Sequence, residues 1–126
     1  MFLSPPELAS IRANKAAVKE LLAHAKTRFE RVIWEPPVSW DADAAETLGE
    51  GSALVARDPL KHGISSRRAA YYRMPGPAGY KSRYEDPALE KLADLASRAK
   101  HDDATYVFAN VDMFSDARRF RKLLED

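Results

Sequence analysis

The stretch AAYYRMPGPAGYKSRYEDPALEKLADLASRAKHDDATYVFA, residues 69–109, contains one full strand–helix–strand period. Ala69 to Arg73 reads as a strand. Met74 to Glu85 reads as a long loop, because Pro75, Gly76, Pro77 and Gly79 favour turns over regular structure. Asp86-Pro87 places a capping side chain before a proline suited to the first helical turn. Leu89, Leu92, Ala93, Ala96 and Ala99 then recur on one helical face. Thr105 to Ala109 is the next strand. Two strands joined by a helix of this length pair in parallel, since a helical crossover returns the chain to the same end of the sheet.

The same alternation extends in both directions. Toward the N-terminus, Arg31 to Glu35 is a strand that Pro36 and Pro37 end, because proline donates no ladder hydrogen bond. Asp41 caps a short helix through Leu48, with Gly49 expected to end it in a left-handed conformation. Ser52 to Ala56 is a short strand, and residues 57–68 carry no clear period. At the start, Ser4, Pro6 and Glu7 have capping-box spacing. Leu8, Ile11, Val18, Leu21 and Leu22 give the helix that follows its apolar face, and Phe2 and Leu3 suggest a strand stub. Beyond residue 109, Ala117, Phe120, Leu123 and Leu124 mark a last helix. The predicted fold is α/β, a mostly parallel sheet with flanking helices in one domain over 1–126.

Composition narrows the functions. The chain has 126 residues, 20 basic and 19 acidic, and no cysteine. Near-neutrality argues against a nucleic-acid arm or a membrane-surface patch. Without cysteine there are no disulfides, thiolate metal sites or cysteine nucleophiles. No apolar run approaches the ~20 residues of a membrane span, and the opening residues do not form a signal peptide. A cytoplasmic location is the default expectation.

The strand ends supply the candidate site. Glu35 ends one strand, Asp58 follows the next, Arg73 ends the third and Asn110 follows the fourth. In parallel α/β folds these carboxyl ends share a rim where ligands bind. Tyr80, Lys81, Arg83 and Tyr84 lie in the long loop after Arg73, and Lys61 and His62 follow Asp58. Arginine, lysine and tyrosine together suit a phosphate or carboxylate. Glu35, Asp58 and Asp112 are oxygen donors suited to a divalent cation, but their spacing lacks metal-ligand regularity. His24, His62 and His101 are scattered and read as surface residues. No glycine-rich phosphate loop or nucleophile elbow is present, and no cofactor is implied.

Three segments carry a family resemblance. Val32-Ile33-Trp34-Glu35-Pro36-Pro37-Val38-Ser39-Trp40 resembles a W-E-P-R-x-x-W motif. Tyr71-Tyr72-Arg73-Met74-Pro75-Gly76, with Tyr80 and Tyr84 behind it, resembles Y-x-R-x-H-G … Y … Y. Tyr106 to Met113, followed by Asp116, Ala117 and Phe120, is similar to Y-V-x-F-N-N-x-x-M-x-x-D-A-x-x-F. The order and spacing are those of the domain of unknown function 72 family, the YecE-like proteins, which fold as TIM-barrel-like domains. The resemblance implies the C-terminal half of such a barrel, since family members are roughly twice as long, as an eight-stranded barrel requires. It implies a site of Glu35, Trp40, Asp58, Arg73, Tyr80, Tyr84 and Asn110, but no reaction.

Departures point toward a degenerate binding module for a small anionic ligand. Pro37 stands where the family has arginine, Pro75 where it has histidine, and Ala109 where it has an asparagine. If those were transition-state donors, each loss would cost on the order of 10²–10³ in rate. The alternative is a hydrolase-like enzyme, with Glu35 and Asp58 as acid–base and Arg73 as anion clamp. Stacking of single-stranded nucleic acid on Tyr72, Tyr80 and Tyr84 beside Arg83 is disfavoured by the net charge. A half-barrel further implies a homodimer or a separate N-terminal half, because bare sheet edges template association.

Overall fold

A computed structural model describes residues 1–5 and 8–125. Among them, five strands and five helices alternate: β1 (Phe2–Leu3), α1 (Arg12–Lys26), β2 (Ile33–Glu35), α2 (Ala42–Gly49), β3 (Leu54–Arg57), α3 (Pro59–His62), β4 (Ala69–Met74), α4 (Asp86–Arg98), β5 (Asp103–Phe108) and α5 (Met113–Glu125). The pairs β1–β2, β2–β3 and β4–β5 are all parallel. The fold is therefore α/β with parallel strands and helical crossovers, in the element order of half a β/α barrel. No helix among the described residues is long and apolar enough to cross a membrane. The chain divides into two compact units, Met1–Ala56 and Arg57–Asp126.

The first unit is built around two tryptophans. Trp34 and Val55 are register partners on β2 and β3, so their side chains share a sheet face. That face receives α2 at Gly49, where a Cβ would stand 2.6 Å from Val55 Cγ2. Gly49 is thus the last helical residue and serves close packing. The left-handed backbone expected there occurs two residues later, at Gly51, with φ 80°. Trp34 meets Trp40 edge to face with centroids 5.7 Å apart, and both are buried with Leu22, Ala25, Val32 and Ala45.

The first helix starts at Arg12, well after the position that Ser4 predicts. Pro6 and Glu7 lie outside the described residues. Ser4 Oγ accepts the indole N–H of Trp34 at 2.7 Å, so its hydroxyl serves the core. The Ser4 N–H also donates to the Glu35 carbonyl at 3.1 Å, which prolongs the β1–β2 ladder. Asn14 is inside the helix, and its side-chain amide donates to the Ala9 carbonyl at 2.9 Å.

The second unit shows strict alternation on β4. Ala70, Tyr72 and Met74 are buried, whereas Ala69, Tyr71 and Arg73 are half-buried. The buried set packs with Leu89 and Leu92 of α4, Phe108 of β5 and Phe120 of α5. The sequence shows no period over 57–68, yet Pro59–His62 forms a single turn capped by Asp58. One turn is too short for hydrophobic periodicity to register. Helix α4 begins at Asp86 with Glu85 at the N-cap and no side-chain cap bond. The predicted cap is displaced because Asp86 bonds Arg119 instead.

Asp41 caps α2 as the sequence predicts, its Oδ2 accepting the Ala44 N–H at 2.9 Å. Substituting Asp41→Ala should lower stability by about 1 kcal/mol in urea unfolding, with Asp41→Asn close to neutral. Equal losses in both variants would show that the carboxylate charge, not the cap bond, matters there.

Candidate functional site

Within Met1–Ala56, Glu35 ends β2 and is half-buried. It follows Trp34 directly and so presents its side chain to the opposite sheet face. Trp40 is 5% exposed and donates its indole N–H to the Leu8 carbonyl at 2.9 Å. Its ring is a core element and its only donor is spent.

Within Arg57–Asp126, the carboxyl ends of β4 and β5 lead into two loops that are bonded together. The Val111 N–H donates to the Tyr80 carbonyl at 2.7 Å, and Asn110 Nδ2 to the Ser82 carbonyl at 2.9 Å. Asn110 and Asp116 are both 0% exposed. Asp116 Oδ2 accepts from Asn110 Nδ2 at 2.8 Å and from the Tyr84 N–H at 3.0 Å. Asp116 Oδ1 accepts from Arg119 Nη1 at 3.0 Å, and that nitrogen also reaches the Tyr84 carbonyl at 2.9 Å. Because Nδ2 of Asn110 faces two acceptors, the orientation of its amide is fixed. Its Oδ1 is buried without a donor among the described residues.

Tyr84 is 1% exposed, and its phenol oxygen accepts the Gly76 N–H at 2.8 Å. Gly76 has φ 104°, and a Cβ there would collide with the Gly79 carbonyl. The turn therefore requires glycine and is locked from above by Tyr84. Burial, then the nearby charges of Asp58 and Asp116, push the Tyr84 phenol up to about 12, against the pull of the Gly76 N–H. Tyr106, stacked beside Tyr72 with centroids 5.0 Å apart, is also pushed up to about 12, by burial first.

Asp58 accepts the Leu60 N–H at 3.0 Å. Burial raises its carboxyl above the ordinary carboxylate range, opposed by that bond and by Lys61 and His62. Arg73 is half-buried on the sheet face opposite Tyr72 and Met74, in register with Val107. Tyr80 and Lys81 are exposed. Arg83 lies 3.8 Å from Asp112 and 3.9 Å from Glu85, too far for hydrogen bonds.

The structure thus joins Tyr84 and Asn110 in one network and places Tyr80 on the loop that this network braces. Its hub, Asp116, and its clamp, Arg119, are not among the sequence-derived candidates. The available signal was an acid at position 116 among the apolar inner positions Met113, Ala117 and Phe120 of α5. His101 also departs from its surface reading. It is half-buried, with Nε2 2.7 Å from the Tyr72 phenol oxygen and Nδ1 2.5 Å from the Arg67 carbonyl. No group of three or more His, Asp or Glu that could hold a metal ion occurs among the described residues. Comparison with protein-family models, with curated proteins and with solved structures gives no match.

The raised phenols fix a pH dependence. A tyrosine whose folded pKa exceeds its unfolded value binds its proton more tightly when folded, so stability falls as pH rises from about 10 toward 12. Urea midpoints should decline over that range, and Tyr84→Phe with Tyr106→Phe should flatten the decline. A parent profile no steeper than the double variant's would refute the assignment.

Proposed function

We propose that the chain is a degenerate member of the domain of unknown function 72 family, binding a small anionic ligand without turning it over. The observation that carries this reading is how the polar groups of the β4 and β5 rim are used. Tyr84 and Asn110 are buried and bond to Gly76, Ser82 and Asp116. They hold loops in place and do not face a reactant. The groups toward solvent include a phenol and cations, Tyr80, Lys81 and Arg83, with Arg73 half-buried on its strand and the carboxylates of Glu85 and Asp112 at 3.9 and 3.8 Å from Arg83. Tyr80 and the cations of this set would attract and orient an anion through charge-assisted hydrogen bonds.

One observation favours the enzyme reading. The carboxyl of Asp58 is raised by burial, the kind of perturbation that acid–base groups carry. In that reading Asp58 handles the proton transfers and Arg73 clamps the anion.

Calorimetric titration with phosphate, sulfate and small carboxylates separates the two, together with turnover assays on phosphoesters and glycosides with and without divalent metal. Binding should weaken at least about tenfold in Arg73→Ala, the scale of one hydrogen bond to a charged group. Turnover that Asp58→Asn abolishes would establish the enzyme and overturn the binding module.

The family reading also carries an assembly. A half-barrel is completed by a second copy of the chain, the commonest closed arrangement being a two-fold dimer, or by a separate N-terminal half. Light scattering at micromolar concentration should give twice the chain mass of 14.1 kDa. A monomer would overturn the homodimer.

A further inference from the structure

Two aromatic rings stand open in the rim segments. Tyr80 is 60% exposed and Phe114 is 75% exposed. Neither belongs to a loose segment. The Tyr80 carbonyl is held by the Val111 N–H. Ser82 Oγ braces the same loop, donating to the Gly79 carbonyl at 2.6 Å and accepting the Ala78 N–H at 2.9 Å. Phe114 lies three residues beyond Val111, in the first turn of α5. Both rings are therefore presented by backbone that the Asp116 network holds in place.

Cations flank the rings. Lys81 follows Tyr80 and forms no ion pair or hydrogen bond among the described residues. The contacts of Arg83 to Asp112 and Glu85 are too long to occupy its N–H groups. Arg118 stands one turn after Phe114 and is exposed. Inorganic phosphate or a small carboxylate would use these cations and leave both rings bare. A planar ring system joined to a phosphate would use both features, since stacking on an aromatic side chain complements charge pairing next to it.

We propose that the anionic ligand of this rim is a nucleotide, its base stacked on Tyr80, its phosphate on Lys81 and Arg83. The proposal rests on the anion-binding reading above and names the ligand class within it. Binding alone is proposed, with no bond made or broken.

Titration of the whole chain with adenosine monophosphate, ribose phosphate and inorganic phosphate tests it. The nucleotide should bind roughly tenfold more tightly than ribose phosphate, the scale of one base stacked on one ring. Tyr80→Ala should remove that advantage and leave ribose phosphate unchanged, while Tyr80→Phe should restore it. Lys81→Ala and Arg83→Ala should weaken both ligands. Equal affinity for nucleotide and ribose phosphate would overturn the nucleotide and leave the anion site standing. Absence of binding by all three ligands at millimolar concentration would overturn both.

Discussion

The Asp116 carboxylate is the constraint on which the unit from Arg57 onward depends. It is fully buried, and a buried charge is tolerated only when its lone pairs are met by well-placed donors. Three donors meet it, from three separate places in the chain: the backbone of Tyr84 after β4, the amide of Asn110 after β5, and the guanidinium of Arg119 on α5. Removing one partner from such a cluster costs ~3–5 kcal/mol, because the others stay buried without compensation. Arg119 carries the tie further, to Asp86 at the start of α4. A single side chain thus sets α5 against both rim loops and the start of α4. The polar interior fixes geometry here in a way that the apolar contacts of Phe108, Phe120 and Leu89 do not.

The unit from Met1 to Ala56 solves the same problem through its two tryptophans. Its directional bonds come from indole N–H groups, Trp34 to Ser4 and Trp40 to the Leu8 carbonyl. Each tryptophan thereby reaches from the core to the segment before α1. None of the described residues of that segment is helical, although its own sequence favours a helix. Where a local signal and a tertiary hydrogen bond compete for one hydroxyl, a buried indole left without an acceptor is the more expensive outcome. Ser4 accordingly serves Trp34.

This difference explains what the sequence made legible. Hydrophobic periodicity located β4, α4, β5 and α5, because each is long enough to repeat its pattern. Parallel pairing followed from the crossover lengths. The single turn Pro59–His62 stayed hidden for want of length, and the start of α1 was misplaced because Ser4 acts through space. The site was half legible. Strand-end position pointed to Glu35, Asp58, Arg73 and Asn110, and the loop after Arg73 to Tyr84, but position does not reveal whether a polar atom faces solvent or another loop. Asp116 entered only as a motif residue, not as a site candidate, because a polar residue on an apolar helical face has meaning only once its donors, 6 and 32 residues earlier in the chain, are known.

Burial then divides the strand-end residues into two roles. A loop leaving a parallel strand must satisfy its own backbone before it can offer anything to a ligand. Tyr84 and Asn110 do that work: one meets the Gly76 N–H, the other the Ser82 carbonyl. Loop support thereby accounts for the burial of both side chains. In the binding function proposed above, ligand chemistry falls to the groups that the supported loops carry outward, Tyr80, Lys81 and Arg83. A rigid base under exposed cations and rings lowers the entropic cost of binding, so under the proposed function the buried network would aid recognition without touching the ligand.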